Sequence, residues 1–95
     1  MDSLALSDFV EDVHRIFRVA VGPERLRLEL TEAASLPASA GAPRAPFSLT
    51  FRGPAQPLLP QGTYEFDHPR LGPLAIFIVP IGAESDGVLY QAIFA

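Results

Sequence analysis

The sequence predicts a mainly β fold: a small antiparallel barrel or roll of about six strands with one short N-terminal helix. Three observations carry that expectation. Apolar residues recur with a period of two in run after run, most cleanly where Leu26, Leu28 and Leu30 alternate with Arg25, Arg27, Glu29 and Thr31. The runs are punctuated by turn residues such as Gly22-Pro23 and Asp86-Gly87. Most connections are shorter than the dozen or so residues that a parallel crossover needs, so neighbours should pair antiparallel. A two-sheet β-sandwich is the alternative arrangement of the same strands.

The helix is expected over residues 7–13. Ser7 is a favoured N-cap, Asp8, Glu11 and Asp12 suit the positive end of a helix, and Leu6, Phe9 and Val13 share one face. Only about two turns long, it must be held by packing rather than by propensity. A strand over 15–21 follows, with Phe17, Val19 and Val21 on one face and Ile16, Arg18 and Ala20 on the other. The strand over 25–32 has one wet face and one core face. Residues 37–46, rich in Ala, Pro, Gly and Ser, lack any period and are expected to form a mobile surface loop. The strand over 46–52 turns Phe47, Leu49 and Phe51 inward and Ser48, Thr50 and Arg52 outward.

Between it and the next strand, Pro54, Pro57 and Pro60 forbid a ladder, while Leu58 and Leu59 suggest a segment packed across an open end of the core. The strand over 63–68 points Tyr64 and Phe66 inward against Thr63, Glu65 and Asp67 outward. A tight turn at His68-Pro69-Arg70-Leu71-Gly72 leads to a strand over 73–81 that is apolar on both faces. The last strand, 88–94, is nearly so, with only Tyr90 and Gln91 adding polarity.

Ninety-five residues make one domain. An apolar content of 48% and a mean hydropathy of +0.24 are high for a chain this small, and imply apolar area left on the surface for a partner. The two-faced strands supply it: Leu74, Ile76, Phe77, Ile78, Leu89 and Ile93 are the candidate interface, and a homo-oligomer or another protein is the expected partner. A net charge of −4 argues against nucleic acid. The seven basic residues are all arginine and are spread along the chain, which argues against a bidentate anion site. The longest apolar run, 74–79, is too short to cross a bilayer, so no membrane partner is expected. The first ten residues lack the basic start and long apolar stretch of a secretory leader. With no cysteine there is neither a disulfide nor a thiolate nucleophile, which fits a cytoplasmic protein.

No catalytic residue, cofactor or metal site is expected. There is no Gly-x-Ser-x-Gly elbow and no Gly-rich phosphate loop. His68 sits beside Asp67 and near Glu65, but strand alternation puts His68 on the face of Tyr64 and Phe66 and both carboxylates on the other. A hydrolase built on His14 or His68 is therefore only an alternative reading. So is a small-ligand barrel with Arg52, Gln61, Tyr64 and Tyr90 near its mouth. In the structural reading of the same residues, Arg52 and Gln61 hold the Pro-rich crossover through backbone carbonyls.

Pro46-Phe47-Ser48-Leu49 with Phe51-Arg52-Gly53-Pro54, then Leu59-Pro60-Gln61-Gly62 and Tyr64, then His68-Pro69 with Leu71-Gly72, form a string of turn and core residues. Phe77, Val79-Pro80, Gly82, Asp86-Gly87 and Tyr90 complete it. Over roughly residues 6 to 94 the chain resembles an uncharacterised family of short bacterial proteins catalogued as a domain of unknown function. The resemblance implies a setting beside phage-tail-collar-like proteins and brings no catalytic residues. This chain departs from the pattern in having His14 where a Gly would follow the short helix, which argues against a tight backbone turn there.

Overall fold

A computed structural model describes residues 4–37, 41 and 45–95. Its six strands are β1 (Ile16–Val21), β2 (Glu24–Ser35), β3 (Phe47–Gly53), β4 (Gly62–His68), β5 (Gly72–Glu84) and β6 (Gly87–Phe94). They close into a barrel in the order β1-β2-β3-β6-β5-β4, and every neighbouring pair is antiparallel. The barrel reading thus holds over the sandwich, because β1 and β4 pair through Arg18–Asp67, Val19–Phe66 and Ala20–Glu65 and leave no open edge between the two halves.

Strand alternation places the side chains as the sequence implies. Phe17, Val19, Leu28, Leu30, Phe47, Leu49, Phe51, Phe66, Ile76, Ile78, Val88, Tyr90 and Ala92 form a continuous buried core. Its rings interlock: Phe17 meets Phe51 edge-on at 5.5 Å, and Phe51 meets Phe66 at 4.8 Å. Such contacts add roughly 0.5–1.5 kcal/mol each beyond their area.

β2 and β5 run further than expected, to Ser35 and Glu84 rather than 32 and 81. Each carries a register shift, between Leu30 and Glu32 in β2 and between Pro80 and Gly82 in β5. An extra residue there bends the strand, so each long strand serves one neighbour along its first half and another along its second. β5 pairs with β4 through Gly72–Ile78 and with β6 from Val79 onward.

Two segments close the barrel's ends. The short N-terminal helix takes the form of two successive 3-10 turns, Leu6–Asp8 and Val10–Asp12. The Asp8 carboxylate, not Ser7, serves as the cap, accepting the Ala5 N–H at 2.8 Å. Phe9 between the turns is fully buried against Phe17, Phe47 and Phe94, with Leu6 and Val13 packed at its sides. At the other end the Pro-rich crossover from β3 to β4 lays Leu59 into the core, while Leu58 stays 60% exposed. Of the expected mobile loop at 37–46, residues 38–40 and 42–44 lie outside the described residues.

His14 corrects one expectation. Its φ is +77°, the left-handed conformation that favours glycine, so the tight turn after the helix is present although a histidine occupies it. The turn is held by the His14 N–H donating to the Leu30 carbonyl.

Candidate functional site

The outside of the barrel has two contrasting walls. On β5 ahead of its bulge the outward positions are Pro73, Ala75, Phe77 and Val79; on β6 they are Leu89, Gln91 and Ile93. None carries a charge. Phe77 is 52% exposed and Ile93 55%, and Ile81 at the β5 bulge is also open to solvent. Phe77 faces Thr63 across the ladder with β4, and Ile93 faces Ser48 across the ladder with β3. Charged groups enter at the margin, with Glu65 beside Ala75, Asp67 beside Pro73, Arg52 beside Leu89, and Glu84 at the far end of β5. An apolar centre with a polar rim is the anatomy of a protein–protein contact.

The candidate interface residues divide across this wall. Phe77, Leu89 and Ile93 are on it. Ile76 and Ile78 are 1% and 0% exposed in the core, and Leu74 packs against that core from inside. These three are corrected from surface to interior. A strand apolar on both faces does not reveal which face looks out, and only the ladder with β4 decides it.

The candidate loop residues also separate. Tyr90 is a core residue, 1% exposed, and its hydroxyl accepts the Leu59 N–H at 3.0 Å. The Tyr64 hydroxyl donates to the Pro60 carbonyl at 2.7 Å. The two tyrosines, rather than Arg52 and Gln61, therefore pin the crossover. Arg52 lies instead on the outer face, with one guanidinium nitrogen 2.9 Å from Glu29 and another 3.4 Å from Asp86. Its hydrogen bond, with a smaller one from His14, holds the Glu29 carboxyl below its ordinary range, and Glu29 in turn raises Arg52. Gln61 is exposed. These four do not converge on one cavity, and aromatic rings fill the barrel between its two plugs.

The histidines are far from each other in role. His14 is exposed and lies 3.4 Å from Glu29. His68 is buried, as alternation implies, with Glu65 and Asp67 on the outer face. Its partner is a carboxylate that sequence proximity did not indicate: Asp12, whose Oδ2 lies 3.4 Å from His68 Nε2. The hydrogen bonds set the ring's tautomer. Nδ1 accepts the backbone N–H groups of Arg70 and Leu71, both at 3.1 Å, so Nε2 carries the proton and donates to the Asp8 carbonyl at 2.7 Å. Arg70 adds contacts to Asp12 at 3.2 Å and to the Asp8 carbonyl at 3.1 Å. Asp12 Oδ2 nevertheless accepts no hydrogen bond of good geometry. Asp12 and His68 are fully buried and only Arg70 reaches the surface, so this cluster fastens the Phe9 plug to the β4–β5 turn. One signal was available beforehand: Asp12 follows Phe9 by three residues, on the apolar side of the helical turn.

Among the described residues no set of three or more His, Cys, Asp or Glu side chains is placed to hold a metal ion, and no helix is long and apolar enough to cross a membrane. Residues 4–94 match the family model described as Domain of unknown function (DUF6916), and the chain belongs to that family. No curated protein and no solved structure matches it.

Proposed function

We propose that this DUF6916 chain is a non-enzymatic assembly module that packs the outward β5–β6 wall against a second copy of itself, in an accessory role to phage-tail-like proteins. One observation carries the self-association: from Pro73 to Ile81 on β5 and from Leu89 to Ile93 on β6 the wall holds no charged side chain, and it leaves Phe77 and Ile93 more than half exposed. Exposed apolar area of this kind, rimmed by polar groups, is a cost to a monomer and a driving force for association. Self-packing about a two-fold axis would set the same patch against itself, apolar centre on apolar centre. The accessory role follows from the family resemblance alone.

Native mass spectrometry of the tag-free chain tests the reading. The wild type should appear at a multiple of 10.2 kDa, and Phe77→Asp and Ile93→Asp should appear as folded monomers with unchanged circular dichroism. Ile76→Asp, in the core, should unfold. A monomeric wild type would reject self-association, as would Asp variants that keep the oligomer.

A further inference from the structure

Four of the described arginines have acidic partners. Arg15 lies 3.6 Å from Asp12, Arg25 4.0 Å from Glu65, Arg52 2.9 Å from Glu29, and Arg70 3.2 Å from Asp12. Arg18 and Arg27 differ. Both are exposed, and neither side chain has a hydrogen bond or ion pair among the described residues. The fold sets them directly opposite each other across the β1–β2 ladder, on the same outward face. Spread along the sequence, they give no sign of a cluster, and the hairpin makes one.

Like charges directly opposite in an antiparallel pair destabilise it. The chain has eleven acidic residues and a net charge of −4, so counter-charges are not scarce, yet among the described residues no carboxylate lies within 4.0 Å of either guanidinium, Asp67 included. Two guanidiniums on one rigid face can share a single carboxylate in the forked geometry that arginine favours. A shallow groove of about 260 Å³ beside them is lined by Ile16, Arg18, Arg27, Asp67 and Pro69, and Ile16 is 49% exposed. Asp67 faces Arg18 across the β4 ladder, and Glu29 lies two positions from Arg27 along β2. That acidic fringe repels a continuous polyanion such as a nucleic acid or an anionic membrane, and still admits one carboxylate.

We infer that the Arg18–Arg27 pair is a docking site for an acidic protein segment, with a carboxylate held between the two guanidiniums and a neighbouring apolar side chain seated on Ile16. The inference stands apart from the assembly reading. In the ring order β1 and β2 lie three places from β6 and β5, so the pair is on the opposite wall and stays open when the β5–β6 wall is covered.

The test is a titration of the full-length chain with an end-capped pentapeptide alternating glutamate and leucine, followed by the arginine Nε–Hε resonances. The expected result is saturable binding that shifts Arg18 and Arg27, weakens about tenfold in Arg18→Gln and in Arg27→Gln, and weakens less than about twofold in Arg25→Gln. Binding should also fall as salt rises from about 50 to 300 mM. Arg27→Gln should keep the wild-type oligomer mass and melt a few degrees higher, because the repulsion is gone. Absence of saturable binding, equal weakening in Arg25→Gln, or tighter binding of inorganic phosphate or a single-stranded oligonucleotide than of the peptide would overturn the site. A changed oligomer mass in Arg27→Gln would overturn its independence from self-assembly.

Discussion

His14 holds a φ of +77°, in the left-handed region that favours glycine. For a residue with a Cβ this conformation costs roughly 1–2 kcal/mol, and glycine returns about 0.5–1 of that in chain entropy. His14→Gly should therefore raise stability by about 0.5–1 kcal/mol, seen as a higher urea midpoint; the exposed contact to Glu29 is too weak to reverse the sign. An unchanged or lower midpoint would show that the histidine earns its place through that contact. Gly87 is the opposite case, with glycine required. Its φ is +142°, and a Cβ there would overlap the Gly53 carbonyl oxygen, so β6 can start against the end of β3 only without a side chain.

At the scale of elements, the barrel wall is tied together by Arg52 on β3, which reaches Glu29 on β2 and Asp86 in the β5–β6 turn. The guanidinium, aided by His14, keeps the Glu29 carboxyl below its ordinary value of 4.5 in the folded chain. A carboxyl whose folded value is depressed contributes stability above its unfolded value and loses that contribution as pH falls through the folded one. Arg52→Gln should thus be less stable than the wild type at pH 7, and the gap should close as pH falls below the ordinary carboxyl value of 4.5 and through the depressed folded one. Urea midpoints of both proteins across that range measure it. A gap that is constant with pH would mean that Arg52 acts through packing of its stem rather than through Glu29.

Across the whole molecule, stability depends on two plugs as much as on six strands. The closed ladder satisfies the backbone, but a barrel of this size is finished only when Phe9 and Leu59 fill its ends. Removing a buried aromatic ring costs about 3–5 kcal/mol, against a total of roughly 5–15 kcal/mol for an ordinary domain. Phe9→Ala should lower the melting temperature by more than any surface substitution considered above, and should free the 3-10 turns to exchange their amide hydrogens. A small shift would mean that the Asp12–His68–Arg70 contacts hold the segment without the ring.

The sequence by itself determined the six strands, the inward and outward faces of those with a wet side, the turns marked by Gly and Pro, and the antiparallel pairing. It also indicated that a Leu of the Pro-rich crossover closes an end. These features are local: a period of two, a glycine at a turn or a proline in a ladder acts over a few residues. Tertiary structure alone decided which face of β5 looks out, because Leu74, Ile76 and Ile78 are chemically equivalent to Phe77 and Val79 until β4 and β6 take their places. It alone brought Asp12 to Arg70, 58 residues away, and so assigned His68 a partner other than its neighbour Asp67. It alone set Arg18 against Arg27, because strand register, not sequence spacing, decides which charges meet.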